Sequence, residues 1–341
     1  MFMTKIKMNL RLFDGNTNLT TSAGLTAEMK TFYSDYLIDN ATPKLVHDQF
    51  GQKHPIPKNG GKTIEFRKYS PLPKLTTALT EGVTPDGQSL NVSTITATVA
   101  QYGGYITLSD ILMLTAIDNN LVQATKLLGA QAGATLDTIT REVLNGGTNV
   151  IYSGGVTSRA NLVGGAASGN CYLTVDDVKK AVRALKTQNA EKIGDSFVGI
   201  IHPDVAYDLT NDPMWEKVKS YDPKDWYEGE IGRIAGVRFV ESTEAKVWND
   251  SNCPQIGSSG KYYSVFATLF LGKNAYGVTE VTGGGLQTIV KAKGSGGTSD
   301  PLDQRSTVGW KGIRTAKILL EQNMVRVESI SAEWSESTAA N

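Results

Sequence analysis

The most regular pattern of hydrophobic positions in the chain lies between Ser109 and Asn145, and it predicts one long helix. No proline interrupts this stretch, and apolar residues recur at spacings of three, four or seven positions, as on one helical face. These residues are Leu114, Ile117, Leu121, Leu128, Ala132, Leu136, Ile139 and Val143. Ser109 and Asp110 supply N-cap chemistry, and two glycines at 146 and 147 suit the C-terminal end. Such a helix would be about 55 Å long, roughly the span of a whole domain.

Two extended stretches before this helix predict a β-hairpin. The first, GKTIEFRKY, alternates Ile64 and Phe66 with charged residues on the opposite face, as a half-buried strand does. The second, from Leu90 to Leu108, is rich in threonine and valine. Its apolar parity shifts near Thr94, which predicts a bulge or a strong twist there. The proline- and glycine-rich segment 71–88 between the two stretches is the predicted tip.

The length of this hairpin bears on how it is stabilised. Fully extended, the second stretch would reach about 60 Å, which is about three times the length of a typical strand. Part of the hairpin should therefore project beyond its own domain. Because an isolated two-stranded ribbon is marginally stable in water, we expect it to gain its remaining contacts from another chain.

Shorter elements are predicted along the rest of the chain. A helix is expected from Leu25 to Leu45, and a second one begins at Thr174, whose hydroxyl can serve as the N-cap. The apolar run SFVGIIH at 196–202 predicts a buried strand, and Pro203 suits the first turn of a following helix. Further extended segments are predicted at 261–271, 287–293, 306–323 and 324–328.

Four segments are interpreted as irregular. The glycine-rich stretch 146–169 is expected to be a mobile loop. Residues 1–25 and the C-terminal segment SAEWSESTAAN are polar and are expected to be tails, the first of which a neighbouring subunit could order. The stretch 212–229 contains two tryptophans and two tyrosines among many charges. It is interpreted either as a surface loop that packs its own aromatic residues or as a contact between neighbouring subunits.

Composition and charge limit the classes of function that the sequence allows. The 341 residues allow one large or two ordinary domains. Thirty-four basic and 34 acidic residues balance to a net charge of zero, which disfavours sequence-specific DNA binding. The two cysteines, Cys171 and Cys253, have no zinc-ligand spacing. No apolar run is long enough for a membrane span, and the N-terminus lacks the apolar core of a secretion signal, so an intracellular origin is the default expectation.

No residue pattern indicates catalysis. The GGKT sequence at 60–63 lacks the earlier glycine of a phosphate-binding loop, since position 56 is isoleucine, and a strand follows it. His202 and Asp204 could mimic part of a hydrolytic site, but no nucleophile-elbow motif accompanies them. We therefore predict no enzymatic activity, no catalytic residue, no cofactor and no metal. A hydrolase using His202 is a remote alternative.

Several longer motifs resemble the major capsid proteins of tailed bacteriophages, in particular the family related to the coat protein of coliphage N-four. The resemblance extends from about Leu25 to about Ser329. It rests on segments in a fixed order, namely LVHDQFGQKHPIPKNGGKTIEFRKYSPLP, LTEGVTPDG, YGGYITLSDIL, TAIDNN, QAGATLDTITREVLNGGTN and DPLDQRSTVGWKG. It implies an α+β chain with the Hong Kong 97 phage capsid fold.

The resemblance also implies a division of the chain. The N-terminal arm and helix would be residues 1–60, and the extended β-hairpin loop 61–108. The peripheral domain with the long spine helix would combine 109–172 and 294–331, the axial domain would be 173–293, and 332–341 would be a C-terminal tail.

The implied function is structural. The chain would be a major capsid subunit that self-assembles into hexamers and pentamers of an icosahedral shell enclosing double-stranded DNA, in the virion and, during assembly, in the host cytoplasm. Its partners would be copies of itself, scaffolding, portal and decoration proteins, and DNA contacted without sequence specificity, but no membrane. The hypothetical inter-subunit contact residues are Phe66, Arg67, Tyr69, Leu72, Leu75, Leu79, Trp215 and Trp226. An encapsulin-like protein compartment is the alternative.

Overall fold

The computed structural model describes residues 45–57, 61–70, 72–115, 120–162, 171–215, 233–257, 260–280, 285–296, 300–336 and 338–341. The predicted N-terminal tail and nearly all of the predicted helix from Leu25 to Leu45 lie outside these residues. The chain forms two compact units. The first contains Gly103–Ala132 and Leu286–Lys311, and the second contains Pro43–Tyr102, Gly133–Gly285 and Gly312–Asn341.

The fold mixes helices and strands, as the sequence predicts. The helices are α1 Asp110–Thr115, α2 Asn120–Asn145, α3 Val175–Thr187 and α4 Pro203–Thr210, with short 3₁₀ turns at Ser153–Gly155, Arg159–Asn161 and Glu321–Asn323. The strands are β1 Gln52–Lys53, β2 Thr63–Tyr69, β3 Val92–Thr98, β4 Ala100–Ser109, β5 Val150–Tyr152, β6 Phe197–Ile201, β7 Arg233–Ile234, β8 Val237–Glu241, β9 Val247–Trp248, β10 Val265–Leu271, β11 Tyr276–Glu280, β12 Gln287–Lys291, β13 Arg305–Ile318 and β14 Met324–Ile330.

Helices α1 and α2 occupy the stretch for which one long helix is predicted. They lie on either side of residues 116–119, which are outside the described part of the chain. The predicted apolar face is buried at Leu128, Ala132 and Leu136. Leu114, which the periodicity assigns to the same face, is instead 82% exposed.

The first unit is built on the pairing of β4 and β12 with β13. Strand β12 runs antiparallel to the segment of β13 from Thr307 to Lys311. The YGGY motif permits the close approach of β4 to β13, because a Cβ atom on Gly103 would lie 2.6 Å from the carbonyl oxygen of Trp310. The indole of Trp310 donates a hydrogen bond to Gln131 of α2 at 3.2 Å.

The second unit contains a sheet with the strand order β5-β14-β10-β6-β8-β7, with β9 also paired to β10. Strand β10 runs antiparallel to β14 and β6, whereas β6 and β8 are parallel. Apolar residues of α3 and α4 pack against this sheet around Phe197, Phe239 and Phe270. The strand at 196–202, the helix after Pro203 and the strand at 324–328 are thus confirmed.

Helix α3 begins with the N-cap that the sequence predicts. The Thr174 hydroxyl accepts a hydrogen bond from the Asp177 amide, and the Asp177 side chain returns to the Thr174 amide, which completes a capping box.

Replacing Thr174 with alanine should lower the free energy of unfolding by about 1 kcal/mol, because the Asp177 amide at the start of α3 loses the hydroxyl that accepts its hydrogen bond. Urea unfolding of unassembled subunits measures this change. Thr187→Ala, at the exposed end of the same helix, is the matched control and should change stability by less than about 0.5 kcal/mol. Equal effects of the two substitutions would contradict the capping role.

Two sequence predictions are wrong. The β2–β3 pairing is uninterrupted from Thr63↔Thr98 to Tyr69↔Val92, so Thr94 is no bulge. The break falls at Val99, where β3 ends and β4 begins. The glycine-rich stretch 146–169, predicted to be a mobile loop, contains a regular strand, since β5 pairs in parallel with β14.

The C-terminal segment, expected to be a tail, packs against other parts of the second unit, to which it belongs. Trp334 packs edge-on against Tyr207 with ring centroids 4.9 Å apart, and Thr338 donates a hydrogen bond to Asp204 at 2.6 Å. Asn341 bonds to the backbone of Ala245 and Val247. Interactions with distant parts of the sequence therefore order this polar segment.

Candidate functional site

The hairpin of the second unit is the candidate functional site. Strands β2 and β3 form seven consecutive residue pairs, and the amide of Ser70 continues the ladder by donating to Asn91 at 3.0 Å. Residues 72–91, the tip, contain no helix or strand. A turn at Thr80 and Val83 and a hydrogen bond from Gln88 to the Pro73 carbonyl are the contacts within it.

The root of the hairpin packs against its own unit through Phe66. The Phe66 ring lies edge-on to His54, with centroids 5.3 Å apart, and approaches the backbone of Gly277. A cavity of about 600 Å³ adjoins this contact, and its walls include Ile64, Ile95 and Leu319. The alternation predicted from GKTIEFRKY is confirmed here, because Ile64 and Phe66 are half-buried whereas Glu65 and Arg67 are exposed.

Beyond the root, the hairpin exposes apolar side chains to solvent. Leu75 is 77% exposed and Leu79 is 76% exposed. The other exposed large side chains of the hairpin are Tyr69, Leu72, Val83, Leu90 and Val92. Arg67 is also exposed. Apolar residues clustered on one projecting element indicate an interaction site, whereas isolated exposed ones would not.

Five of the eight predicted contact residues thus lie exposed on the hairpin, and Phe66 lies at its root. Trp215 is 3% exposed and packs edge-on against Phe239 within the core of the second unit. Trp226 lies outside the described residues. Val83, Leu90 and Val92 were not among the predicted contacts, although their apolar character in a polar tip is a signal that could have indicated them.

His202 has a structural role in the second unit. Its Nδ1 atom accepts a hydrogen bond from the Asp204 amide at 3.2 Å, so the imidazole caps the first turn of α4. Its ring packs on Phe266, and burial lowers its pKa, which favours the neutral imidazole that can accept this bond.

The described residues offer no candidate metal site and no candidate membrane-spanning helix. They contain no group of three or more His, Cys, Asp or Glu side chains placed to hold a metal ion. Within the same part of the chain, no helix is long and apolar enough to cross a membrane.

The chain thus combines an exposed apolar hairpin, the 26-residue helix α2 and a mixed sheet. Solved capsid structures share this fold. The capsid of cyanophage P-SCSP1u matches with a TM-score of 0.61 at 15% identity, covering 84% of this chain and 88% of that one. Cyanophage Pam1 gives 0.60 at 16%, covering 86% and 92%. Ralstonia phage GP4 gives 0.58 at 14%, covering 84% and 88%.

The chain belongs to the phage capsid protein family, whose model, described as "Phage capsid protein", matches residues 92–324. The search of curated proteins returned no match. The predicted α+β class and the Hong Kong 97 phage capsid fold are thereby confirmed. The protein is a structural capsid protein, a component of the virion that assembles with copies of itself into a shell.

Proposed function

We propose that the chain is a major capsid subunit whose copies form hexamers and pentamers of an icosahedral shell around double-stranded DNA. The observation that carries this proposal is the exposed apolar hairpin in a member of a capsid family. Many weak, symmetric contacts between identical subunits can sum to a stable closed assembly. The net charge of zero suits such a subunit, because identical copies with a large charge of one sign would repel each other.

In this proposal the hairpin is the main contact between subunits. Tyr69, Leu72, Leu75 and Leu79 lie across a neighbour, and Arg67 pairs there with a carboxylate or a backbone carbonyl. Burying a leucine that is fully exposed in the single subunit contributes about 1.5–3 kcal/mol. Phe66 anchors the root to its own subunit and sets the direction from which the hairpin leaves.

The remaining assignments support the same role. Residues 1–60 are the N-terminal arm, 109–172 with 294–331 the peripheral domain, and 173–293 the axial domain that meets its copies around the local symmetry axes. The shell assembles in the host cytoplasm with scaffolding, portal and decoration proteins, and it contacts the packaged DNA without sequence specificity. The protein has no enzymatic activity, because the function resides in contacts between subunits.

Expression of the chain should yield closed particles of uniform diameter in negative-stain images, and sedimentation should place most of the protein in them. Particles isolated from a phage lysate should contain nuclease-protected double-stranded DNA. A protein that stays monomeric at all concentrations, with and without the other head proteins of the phage, would contradict the proposal. Particles that hold protein cargo and no DNA would indicate the encapsulin-like alternative.

A further inference from the structure

A turn just before the hairpin buries two polar side chains in the second unit. His47 is fully buried and Asp48 is 3% exposed. The backbone amide of His47 donates to Asp137 Oδ1 of α2 at 2.7 Å, and His47 Nδ1 lies 2.6 Å from Asp137 Oδ2. A carboxylate therefore receives both the amide and the imidazole of one residue.

Asp48 joins this turn to two further elements. The Thr140 hydroxyl of α2 donates to Asp48 Oδ1 at 2.6 Å, and Arg314 of β13 donates to Asp48 Oδ2. The hydroxyl of Tyr276, on β11, donates to the carbonyl of His47. We call these six residues, His47, Asp48, Asp137, Thr140, Tyr276 and Arg314, the root cluster.

The root cluster contains the turn that precedes β1 and the hairpin along the chain. After the turn, β1 pairs in parallel with β11, and the amide of His54 donates to the Val278 carbonyl at 3.1 Å. His54 then packs against Phe66 at the hairpin root. The turn also follows directly on residues 1–44. One buried cluster thus fixes the chain between the two segments that are proposed to reach other subunits.

Stability alone does not account for the charge at Asp48. Burial raises the pKa of Asp48 above its ordinary value, although Arg314 and the Thr140 hydroxyl act in the opposite direction. An acid whose pKa is raised by folding costs stability above that pKa, and the cost disappears as the pH falls through it. The ionised Asp48 carboxylate therefore lowers the stability of the folded state. Buried charged groups of this kind are often retained because they specify one arrangement of the surrounding chain.

We propose that the root cluster is a positioning device for assembly, in which the contact of Asp48 with Arg314 holds the turn on β13 so that the hairpin is presented to a neighbouring copy. The inference rests on the proposed function of the hairpin. It separates folding from assembly, because a subunit whose turn is loosened keeps both of its cores yet presents the hairpin in many directions.

Asp48→Asn tests this directly, since the amide removes the charge and keeps an oxygen that can accept from Thr140. We expect subunits that remain folded, with a thermal midpoint lowered by a few degrees at most, since Arg314 loses its anionic partner while the buried charge of Asp48 is removed. Hydrogen exchange at residues 46–57 of unassembled subunits should become about tenfold faster, and particle yield should fall about tenfold. Glu142→Gln, on α2, is the matched control, because it removes an outer carboxylate that pairs with Lys246 and Arg141. Subunits with this substitution should assemble normally.

A pH profile and two variants of Thr140 distinguish a positioning role of the root cluster in assembly from a role in stability alone. Asp137, Tyr276, Arg314 and His47 face Asp48 from the surrounding elements, so Asp48→Asn identifies which group titrates. Wild-type assembly should fall as the pH drops through the raised pKa of Asp48, although protonation of this group does not lower the thermal midpoint. The variant should lose that transition. Thr140→Val should reduce particle yield, whereas Thr140→Ser should restore it.

Three results would overturn the proposal. They are normal assembly of Asp48→Asn, an unchanged acid transition in that variant, or a loss of thermal stability that parallels the loss of particles. Failure of the wild-type protein itself to form particles at neutral pH would instead contradict the proposed function, so the two failures are distinguishable.

Discussion

Replacing Leu75 and Leu79 with aspartate should abolish closed shells and leave the subunit folded. Both side chains are about three quarters exposed in the single chain, at 77% and 76%. The fold therefore loses almost nothing when they become polar. In the proposed contact the same positions are buried against a neighbour, where an unpaired carboxylate is strongly unfavourable. Negative-stain images should show no particles, while circular dichroism and the urea midpoint stay at wild-type values.

The control is the pair Leu75→Met and Leu79→Met, which keeps the apolar surface and nearly the same volume. This variant should assemble with wild-type yield. Deletion of residues 71–88 removes the tip altogether, and it should leave folded monomers or capsomers without shells. Intact shells from the aspartate variant or from the deletion would refute the role of the hairpin.

Local periodicity is sufficient to predict the root of this site. Ile64 and Phe66 alternate with charged residues, and the structure half-buries both. The same reasoning identifies α3, because Thr174 precedes an amphipathic run with a helical period. In each case the determinants lie within a few residues of one another, so the sequence contains the whole signal.

The errors arise where the partner of a segment is distant in sequence. The shift in apolar parity near Thr94 predicts a bulge, but it falls inside β3, whose pairing with β2 continues past it. The change of partner comes later, at Val99, where β3 ends and β4 begins to pair with β13. Strand β5 has only three residues in a glycine-rich stretch, and its pairing with β14 orders it. Neither partner can be identified from local pattern.

The root cluster could not be predicted for the same reason. His47 and Asp48 are polar residues in a segment rich in glycine and proline, which is typical of an exposed loop. Their burial depends on Asp137 and Arg314, which lie far along the chain. Asp137 itself occupies a position on α2 outside the predicted apolar face, where a carboxylate is normally expected to face solvent.

A second buried cluster of charged residues lies around Glu328, and we expect it to stabilise the fold and to have no direct part in assembly. Glu328 of β14 is fully buried and receives a bidentate pair from Arg159, at 2.7 and 2.8 Å, and a further bond from Arg326 at 2.9 Å. Arg326 also donates to the carbonyls of Asn145 and Gly147 at the end of α2. The guanidinium of Arg159 stacks on Trp248, 3.8 Å from the ring centroid. One carboxylate thus bridges two arginines and, through Arg326, links the end of α2 to the sheet.

Replacing Glu328 with leucine should therefore lower the free energy of unfolding by about 3–5 kcal/mol, because two largely buried guanidinium groups lose the carboxylate that both of them contact. The raised pKa of Arg159, which Glu328 favours against the effect of burial, points to the same dependence. Urea unfolding of unassembled subunits measures the loss. Asp176→Asn, which breaks an exposed pair with Lys180, is the control and should leave the urea midpoint nearly unchanged. A loss for Glu328→Leu no larger than that of the control would show that β14 and α2 are held together by apolar packing alone.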